Sequence, residues 1–362
     1  MTRVAVLGAG GGGLSAAVEL TRAGYDVVLW NRRAATMAAY REAGEIAHEG
    51  VLGTGRTPVA AMTTDLAVAA AAADVLVVCL PSLAHGALFD DLAELGVRLP
   101  VVMNPGHTGA ALHARQVWAS RGADLPPLAE LSTLTYVARV AEDGTVRTTG
   151  RARVVRAGCL PGGEEAVGWA RRLFPAADPV PDVLASSLSN VNLVLHPPGA
   201  VLGLAWVEAT GGAFTFYGDA MTDGVAAVMG ALDLERRAVA SAYGHTLPSL
   251  VDEMAAIGTV DAVPPEGPGA LAAAIKGGAA NSSILAPSST LHRYYREDLP
   301  FGLGPLVALA GVAGSDVPVA RSLLQLGSVV LGEEAMRAGL NQDRLGVRGW
   351  GRDELLASVR HP

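Results

Sequence analysis

Gly8, Gly10 and Gly13 form a Gly-x-Gly-x-x-Gly array, and eighteen residues beyond Gly13 the chain reads Asn31-Arg32-Arg33. A glycine turn between a strand and a helix sets backbone N–H groups and the positive helix end against a pyrophosphate. Units selective for NAD carry an Asp or Glu about 20 residues further on, where it holds the ribose 2′-hydroxyl. Here two guanidinium groups stand in that place. A carboxylate would repel a 2′-phosphate, whereas an arginine pairs with one bidentately. The array therefore predicts NADP(H), with Gly8, Gly10, Gly11, Gly13, Asn31, Arg32 and Arg33 as its contacts. The plainer alternatives are a merely tight strand–helix turn and two solvated surface arginines.

Further groups able to do chemistry follow at intervals. Leu80-Pro81-Ser82 and Asn104-Pro105-Gly106-His107-Thr108 each follow an apolar, strand-like run. Ligands of open α/β sheets sit at that carboxyl edge, so Leu80, Pro81, Asn104 and Gly106 are candidate cofactor contacts. Pro-Ser and Asn-Pro-Gly are equally ordinary turn chemistry. Far downstream, His196 stands among apolar residues in Ser189-Asn-Val-Asn-Leu-Val-Leu-His-Pro-Pro-Gly199. His292 to Gly302 then packs His, Arg, Tyr, Glu and Asp into one short stretch of a charge-poor chain. A histidine oriented by a carboxylate is an acid–base unit suited to neutral pH, because the carboxylate selects the tautomer and stabilises the imidazolium. On residue type alone His196 also fits a satisfied interior histidine, Asp298 a helix cap and Arg293 a surface charge.

The elements that must carry these groups alternate in the first part of the chain. Residues 4–7, 25–30, 74–79 and 101–103 read as strands, and 14–23 and 66–73 as helices, which implies a parallel doubly wound sheet. Residues 132–140 and 146–155 read as an antiparallel hairpin extending that sheet, turning at Glu142-Asp143-Gly144-Thr145. Pro175, Pro179 and Pro181 mark a boundary. Beyond it the chain reads as helical, with helices over 225–243, 250–257, 317–331 and 332–339, a loop over 264–269 and a peripheral helix from Arg352. The expected architecture is an α/β Rossmann domain over 1–180 with a hairpin extension, followed by an all-α substrate domain over 181–362.

Composition narrows the classes. Of 362 residues half are apolar, 17% are charged and 5% aromatic, so the chain can bury two cores and is not disordered. A net charge of −8 argues against nucleic-acid and anionic-membrane partners. The longest apolar stretch, 66–81, is interrupted by Asp74, so no membrane span is expected. Cys79 and Cys159 offer neither a disulfide framework nor a zinc spacing, and no metal is expected. The chain opens directly into a strand without a signal peptide, which leads to the expectation of a cytoplasmic protein. Apolar helices in the second half would suit a homodimer, although no residue specifies one.

Together these motifs resemble the octopine/nopaline (opine) dehydrogenase family over essentially the whole chain. The similarity rests on Asn190-Val-Asn…His196-Pro197, on Arg293-Tyr-x-x-Glu-Asp-x-Pro-x-Gly302, on Leu232-Asp-Leu-Glu-Arg236 running to Gly244, and on the segment from Glu130 to Arg139. The resemblance implies that His196 is the catalytic histidine, Asp298 its orienting aspartate and Arg293 the arginine that meets a 2-oxo acid carboxylate. It further implies NADPH-dependent reduction of a C=N bond formed between an amine or amino acid and a 2-oxo acid. Gly11 stands where relatives often have Asn, and Arg32/Arg33 go with NADP rather than NAD. The alternatives are an imine or ketone reductase acting on a preformed metabolite, and a silent NADP-binding regulator. The resemblance names no individual substrate.

Overall fold

The computed structural model describes residues 1–260, 269–278, 281–332 and 336–360. The first half alternates β1 (Arg3–Leu7), α1 (Gly11–Arg22), β2 (Asp26–Trp30), α2 (Ala34–Ala43), β3 (Glu45–Gly50), β4 (Gly55–Pro58), β5 (Ala61–Thr63), α3 (Leu66–Ala71), β6 (Val75–Val78), α4 (His85–Glu94), β7 (Val101–Met103) and α5 (Ala110–Ser120). It continues with β8 (Leu128–Leu131), β9 (Tyr136–Val140), β10 (Val146–Arg151), β11 (Val155–Cys159), α6 (Glu164–Leu173) and β12 (Ala177–Pro179). Eight strands form one sheet in the order β12-β11-β8-β7-β6-β1-β2-β5. The apolar runs of β1, β6 and β7 occupy its middle because strands covered by helices on both faces have no polar side to show. Every pairing in this sheet is parallel except β8 with β11.

One expectation needs correcting. The β9–β10 hairpin is antiparallel, with Val146 opposite Val140, but it does not extend the main sheet. It belongs to a second sheet of order β4-β3-β10-β9, in which β10 pairs in parallel with β3. Strand β3 buries only Ile46 and His48, so its apolar pattern is too thin to announce a partner. His48 is satisfied internally, by Gly53 O and Thr57 Oγ1, both at 3.0 Å. This sheet lies over α1, tied by Ser15 Oγ to Thr148 Oγ1 at 2.8 Å and by Tyr136 OH donating to Glu19 at 2.6 Å.

From Asp182 the chain is helical: α7 (Val183–Leu188), α8 (Asn192–Leu202), α9 (Leu204–Thr210), α10 (Asp223–Ala242), α11 (Leu250–Ile257), α12 (Ala270–Gly277), α13 (Arg293–Arg296), α14 (Gly304–Ala313), α15 (Pro318–Leu331) and α16 (Arg352–Val359). Asp182 caps α7 by accepting from Leu184 N and Ala185 N. This helix presses on β11 so closely that a Cβ on Gly158 would lie 2.3 Å from Ser186 Oγ. The two halves therefore pack directly. Residues 264–268 of the expected 264–269 loop and residues 333–335 of the expected 332–339 helix lie outside the described residues. No described helix is long and apolar enough to cross a membrane.

The helical half is organised around a buried ion pair. Arg236, 1% exposed, donates from Nε to Asp233 at 2.8 Å, from Nη1 to Leu188 O at 2.7 Å and from Nη2 to Pro248 O at 2.9 Å. Glu235 beside it caps α15 through Val319 N and Ala320 N, at 2.7 and 2.9 Å. The Glu-Arg pair noted in the sequence is thus a structural junction. Breaking a buried pair strands one charge and costs about 3–5 kcal/mol. Arg236→Met should lower unfolding stability by that amount in urea titration; a loss under about 1 kcal/mol would contradict the packing described.

Candidate active site

The glycine turn separates into parts with different jobs. Gly8 has φ +123°, and a Cβ there would lie 2.4 Å from Cys79 O. A Cβ on Gly13 would meet Gly8 O at 1.8 Å, so helix and strand pack only because both are glycine. At Gly10 a Cβ would meet nothing within 4 Å. That open space lies at the start of α1, where unpaired N–H groups can receive a phosphate, so the residues present fit a dinucleotide. Gly11 is different: its Cβ would come within 2.9 Å of Ala138 O on β9, which gives a local reason for glycine there.

Arg32 and Arg33 are exposed at the end of β2, and neither pairs with a carboxylate among the described residues. Asn31 lies between them and the turn, its Oδ1 accepting from Ala9 N at 3.4 Å and its Nδ2 donating to Arg33 O at 3.3 Å.

A cavity of about 410 Å³ begins at Gly10–Gly12, passes Leu80, Pro81, Pro105 and His107, and ends against Asn192, His196, Tyr217 and Arg293. It therefore joins the glycine turn to the helical half. Asn104 and Gly106 do not line it. The Asn104 amide is spent on Thr135, donating to Oγ1 at 2.9 Å and accepting from N at 3.1 Å. A Cβ on Gly106 would strike Glu130 Cβ at 2.4 Å.

His196 reaches the cavity from α8, a helix buried along most of its length. Asp298 is delivered by α13 and the π-helical turn Leu299–Leu303, in which Leu303 N donates to Asp298 O at 3.0 Å. This turn nestles against α8 at Gly302, where a Cβ would sit 3.3 Å from Leu193 Cβ. The outcome is a contact of 2.7 Å between His196 Nδ1 and Asp298 Oδ2. With Asp298 ionised, Nδ1–H donates and Nε2 accepts from Tyr217 OH, also at 2.7 Å. Tyr294 stacks on the imidazole with ring centres 3.8 Å apart. Burial lowers the His196 pKa below its ordinary value, and Asp298 opposes that shift.

Arg293 borders the same cavity, with 41% of its side chain accessible there, and its Nε lies 3.0 Å from Glu297 Oε2. Burial works against its charge, but the carboxylates of Glu297 and Asp298 outweigh burial and raise its pKa. His292 caps α13 and is driven down to about 4 by burial, with the His196 and Arg293 charges adding to the effect. Sequence reasoning missed Tyr217. Its signal was the Phe214-Thr-Phe-Tyr217 run in a chain with few aromatics.

Fold and site define an oxidoreductase that uses a nicotinamide dinucleotide, with a Rossmann half for the cofactor and a helical half completing the cavity. Residues 179–331 match the family model described as NAD/NADP octopine/nopaline dehydrogenase, alpha-helical domain, and residues 4–102 match that of ketopantoate reductase PanE/ApbA. The chain is 28% identical over 351 residues to an opine dehydrogenase of Arthrobacter sp. (strain 1C), covering 95% of each. Octopine dehydrogenase solved with NADH and L-arginine shares the fold at TM-score 0.76 and 18% identity, over 100% of this chain and 99% of that one. Yersinopine dehydrogenase with NADP+ bound does so at TM-score 0.68 and 16% identity, over 99% and 97%. The chain is thus similar to opine dehydrogenases along nearly its whole length, and its helical half matches the helical domain of the octopine/nopaline dehydrogenases.

Beneath the 104–109 loop lies Glu130, fully buried, taking hydrogen bonds from Ala111 N at 2.8 Å and Ser186 Oγ at 2.8 Å, with Ser187 Oγ 2.5 Å away. Burial outweighs these donors and raises its pKa to about 7. A pKa raised above the unfolded value of about 4.3 gives stability that is complete below that value and lost as pH rises through 7. Glu130→Gln should therefore gain melting temperature over the parent at pH 8 and gain little at pH 5. An equal effect at both pH values would contradict the assignment.

Proposed function

We propose that this protein is an NADPH-dependent opine dehydrogenase, which condenses an amine or amino acid with a 2-oxo acid and reduces the resulting C=N bond. The observation that carries the reading is the 2.7 Å His196–Asp298 contact in a cavity that also opens onto the glycine turn and Arg293. The turn of Gly8, Gly10, Gly11 and Gly13, with Leu80 and Pro81 beside it, would hold the dinucleotide, which when bound would supply the hydride.

The chain's own residues supply the rest. Arg293 grips the 2-oxo acid carboxylate and orients the carbonyl carbon. His196, neutral above its lowered pKa, removes a proton from the ammonium form of the amine, which cannot attack until it has a lone pair. Nε2 is closed by the Tyr217 hydroxyl, so the proton passes through that hydroxyl or the substrate nitrogen displaces it. Asp298 keeps the tautomer and balances the imidazolium. Similarity to an opine dehydrogenase over 95% of the chain supports this reading over reduction of a preformed imine or ketone, and over a silent regulator. Arg32 and Arg33, with no acidic partner among the described residues, support a 2′-phosphate contact and hence NADP(H).

Three measurements test these roles. His196→Asn should lower kcat by about 10²–10⁴ while the NADPH dissociation constant stays within about threefold. The acid limb of kcat should lie below about 6.5 and move lower still in Asp298→Asn, because the carboxylate that raises His196 is gone. Retained turnover in His196→Asn would sink the assignment. Replacing Arg32 and Arg33 together by Ala should raise KM for NADPH at least about tenfold and leave that for NADH within about twofold, as expected for one lost charge-assisted pair. Equal effects on both would remove the 2′-phosphate role.

A further inference from the structure

Glu297 and Asp298 are consecutive, both 1% exposed, and each holds a different histidine. Asp298 holds His196 of the helical half. Glu297 Oε1 lies 3.3 Å from Nδ1 of His107, in the loop after β7 of the Rossmann half. The same oxygen accepts from Ser82 N at 2.7 Å, and Ser82 Oγ is 2.8 Å from His107 Nδ1. A hydrogen on Nδ1 thus has two acceptors, which leaves Nε2 as the free lone pair. Nε2 bonds to no described residue, and the ring lines the cavity. His107 is also the one described non-glycine residue with positive φ, at 59°. Conformations of that kind persist where the surroundings over-determine them, and they cluster at functional sites. Against the Arg293 charge, Glu297 is held well below the usual carboxylate range despite its burial, so it stands ready to balance an imidazolium.

We infer that His107, oriented by Glu297 and Ser82, is a second acid–base catalyst, serving the oxygen of the 2-oxo acid while His196 serves the nitrogen. The inference rests on the reductive condensation proposed above. That reaction loads both ends of one carbonyl: nitrogen must shed protons while oxygen collects two and leaves as water. The amine, freed of one proton by His196, attacks the carbonyl carbon. A C–N bond forms, the C=O π pair moves to oxygen, and protonated His107 gives that oxygen a proton. Neutral His107 then takes the surplus proton from nitrogen and hands it to the hydroxyl. The C–O bond breaks with its pair on oxygen, water departs, and the nitrogen lone pair closes C=N. Two protons have left nitrogen, one to His196 and one to His107, and two have reached oxygen, both from His107. A proton passed through solvent from His196 to His107 resets the pair, and nothing else is consumed before the carbon accepts hydride. His196, with both ring nitrogens engaged, is poorly placed to serve the oxygen as well.

The test uses the full-length protein with His107→Gln and, separately, His107→Asn, on the amine and 2-oxo acid pair that the parent turns over fastest. The readouts are kcat, the primary isotope effect with NADPH deuterated at the transferred position, and the NADPH dissociation constant by cofactor fluorescence. The expected result is a fall in kcat of about a hundredfold or more. The isotope effect should be close to one, because condensation rather than hydride transfer limits turnover, and NADPH binding should stay within about twofold. A kcat within about threefold of the parent would overturn the assignment. So would a low kcat with an isotope effect clearly above one, since His107 would then serve hydride transfer or merely hold the site's shape. If the parent oxidises NADPH with no such pair, the condensation reading itself falls, and this assignment with it.

Discussion

Two adjacent carboxylates, Glu297 and Asp298, are buried where the Rossmann and helical halves meet, and the geometry of the site depends on how their charges are satisfied. Buried carboxylates persist only with hydrogen-bond and charge partners. Here the partners come from both halves: Ser82 N and His107 from the loops at the sheet edge, His196 from α8, and Arg293 from one turn back on α13. Satisfying Glu297 therefore draws the two halves together. Satisfying Asp298 orients the imidazole that faces the cavity so formed. The π-helical turn after Asp298 allows both, since it sets the carboxylates against α8 and continues into α14.

Much of this was legible in the sequence because it rests on local rules. The glycine turn was readable because Gly8 and Gly13 are demanded by backbone contacts within one strand–turn–helix unit. The helix over 250–257 was readable from the sequence, and in the structure Ser249 caps it by accepting from Asp252 N. His196, Arg293 and Asp298 stood out because charge is scarce, and family resemblance paired residues that lie 102 positions apart. Long-range detail was hidden for the converse reason. The pairing of β10 with β3 depends on a strand with only two buried side chains, and no local signal assigns the hairpin to one sheet or the other. Tyr217 is a single aromatic whose place beside His196 is set by tertiary packing. Asn104 and Gly106 drew attention as a sheet-edge loop, yet the Asn104 side chain meets Thr135 and Gly106 packs on Glu130.

The cavity's polarity follows from the same economy of charge. Its described acidic lining residue, Glu297, is already engaged by Arg293, Ser82 and His107, whereas Arg293 and Arg139 present guanidinium groups to it. A site of this sign attracts carboxylates, and the Arg293 charge adds to the burial that lowers His196 and His292. Glu130, held near neutrality behind the 104–109 loop, keeps a further full negative charge away from that region.

The central claim is that this cavity joins an amine to a 2-oxo acid and reduces the bond between them. The most direct test is mass spectrometry of the product formed from NADPH, a 2-oxo acid and an amine, with and without the amine. The account predicts an amine-dependent product whose mass is the sum of both substrates, less one water and plus two hydrogens. A 2-hydroxy acid formed equally well without the amine would contradict it.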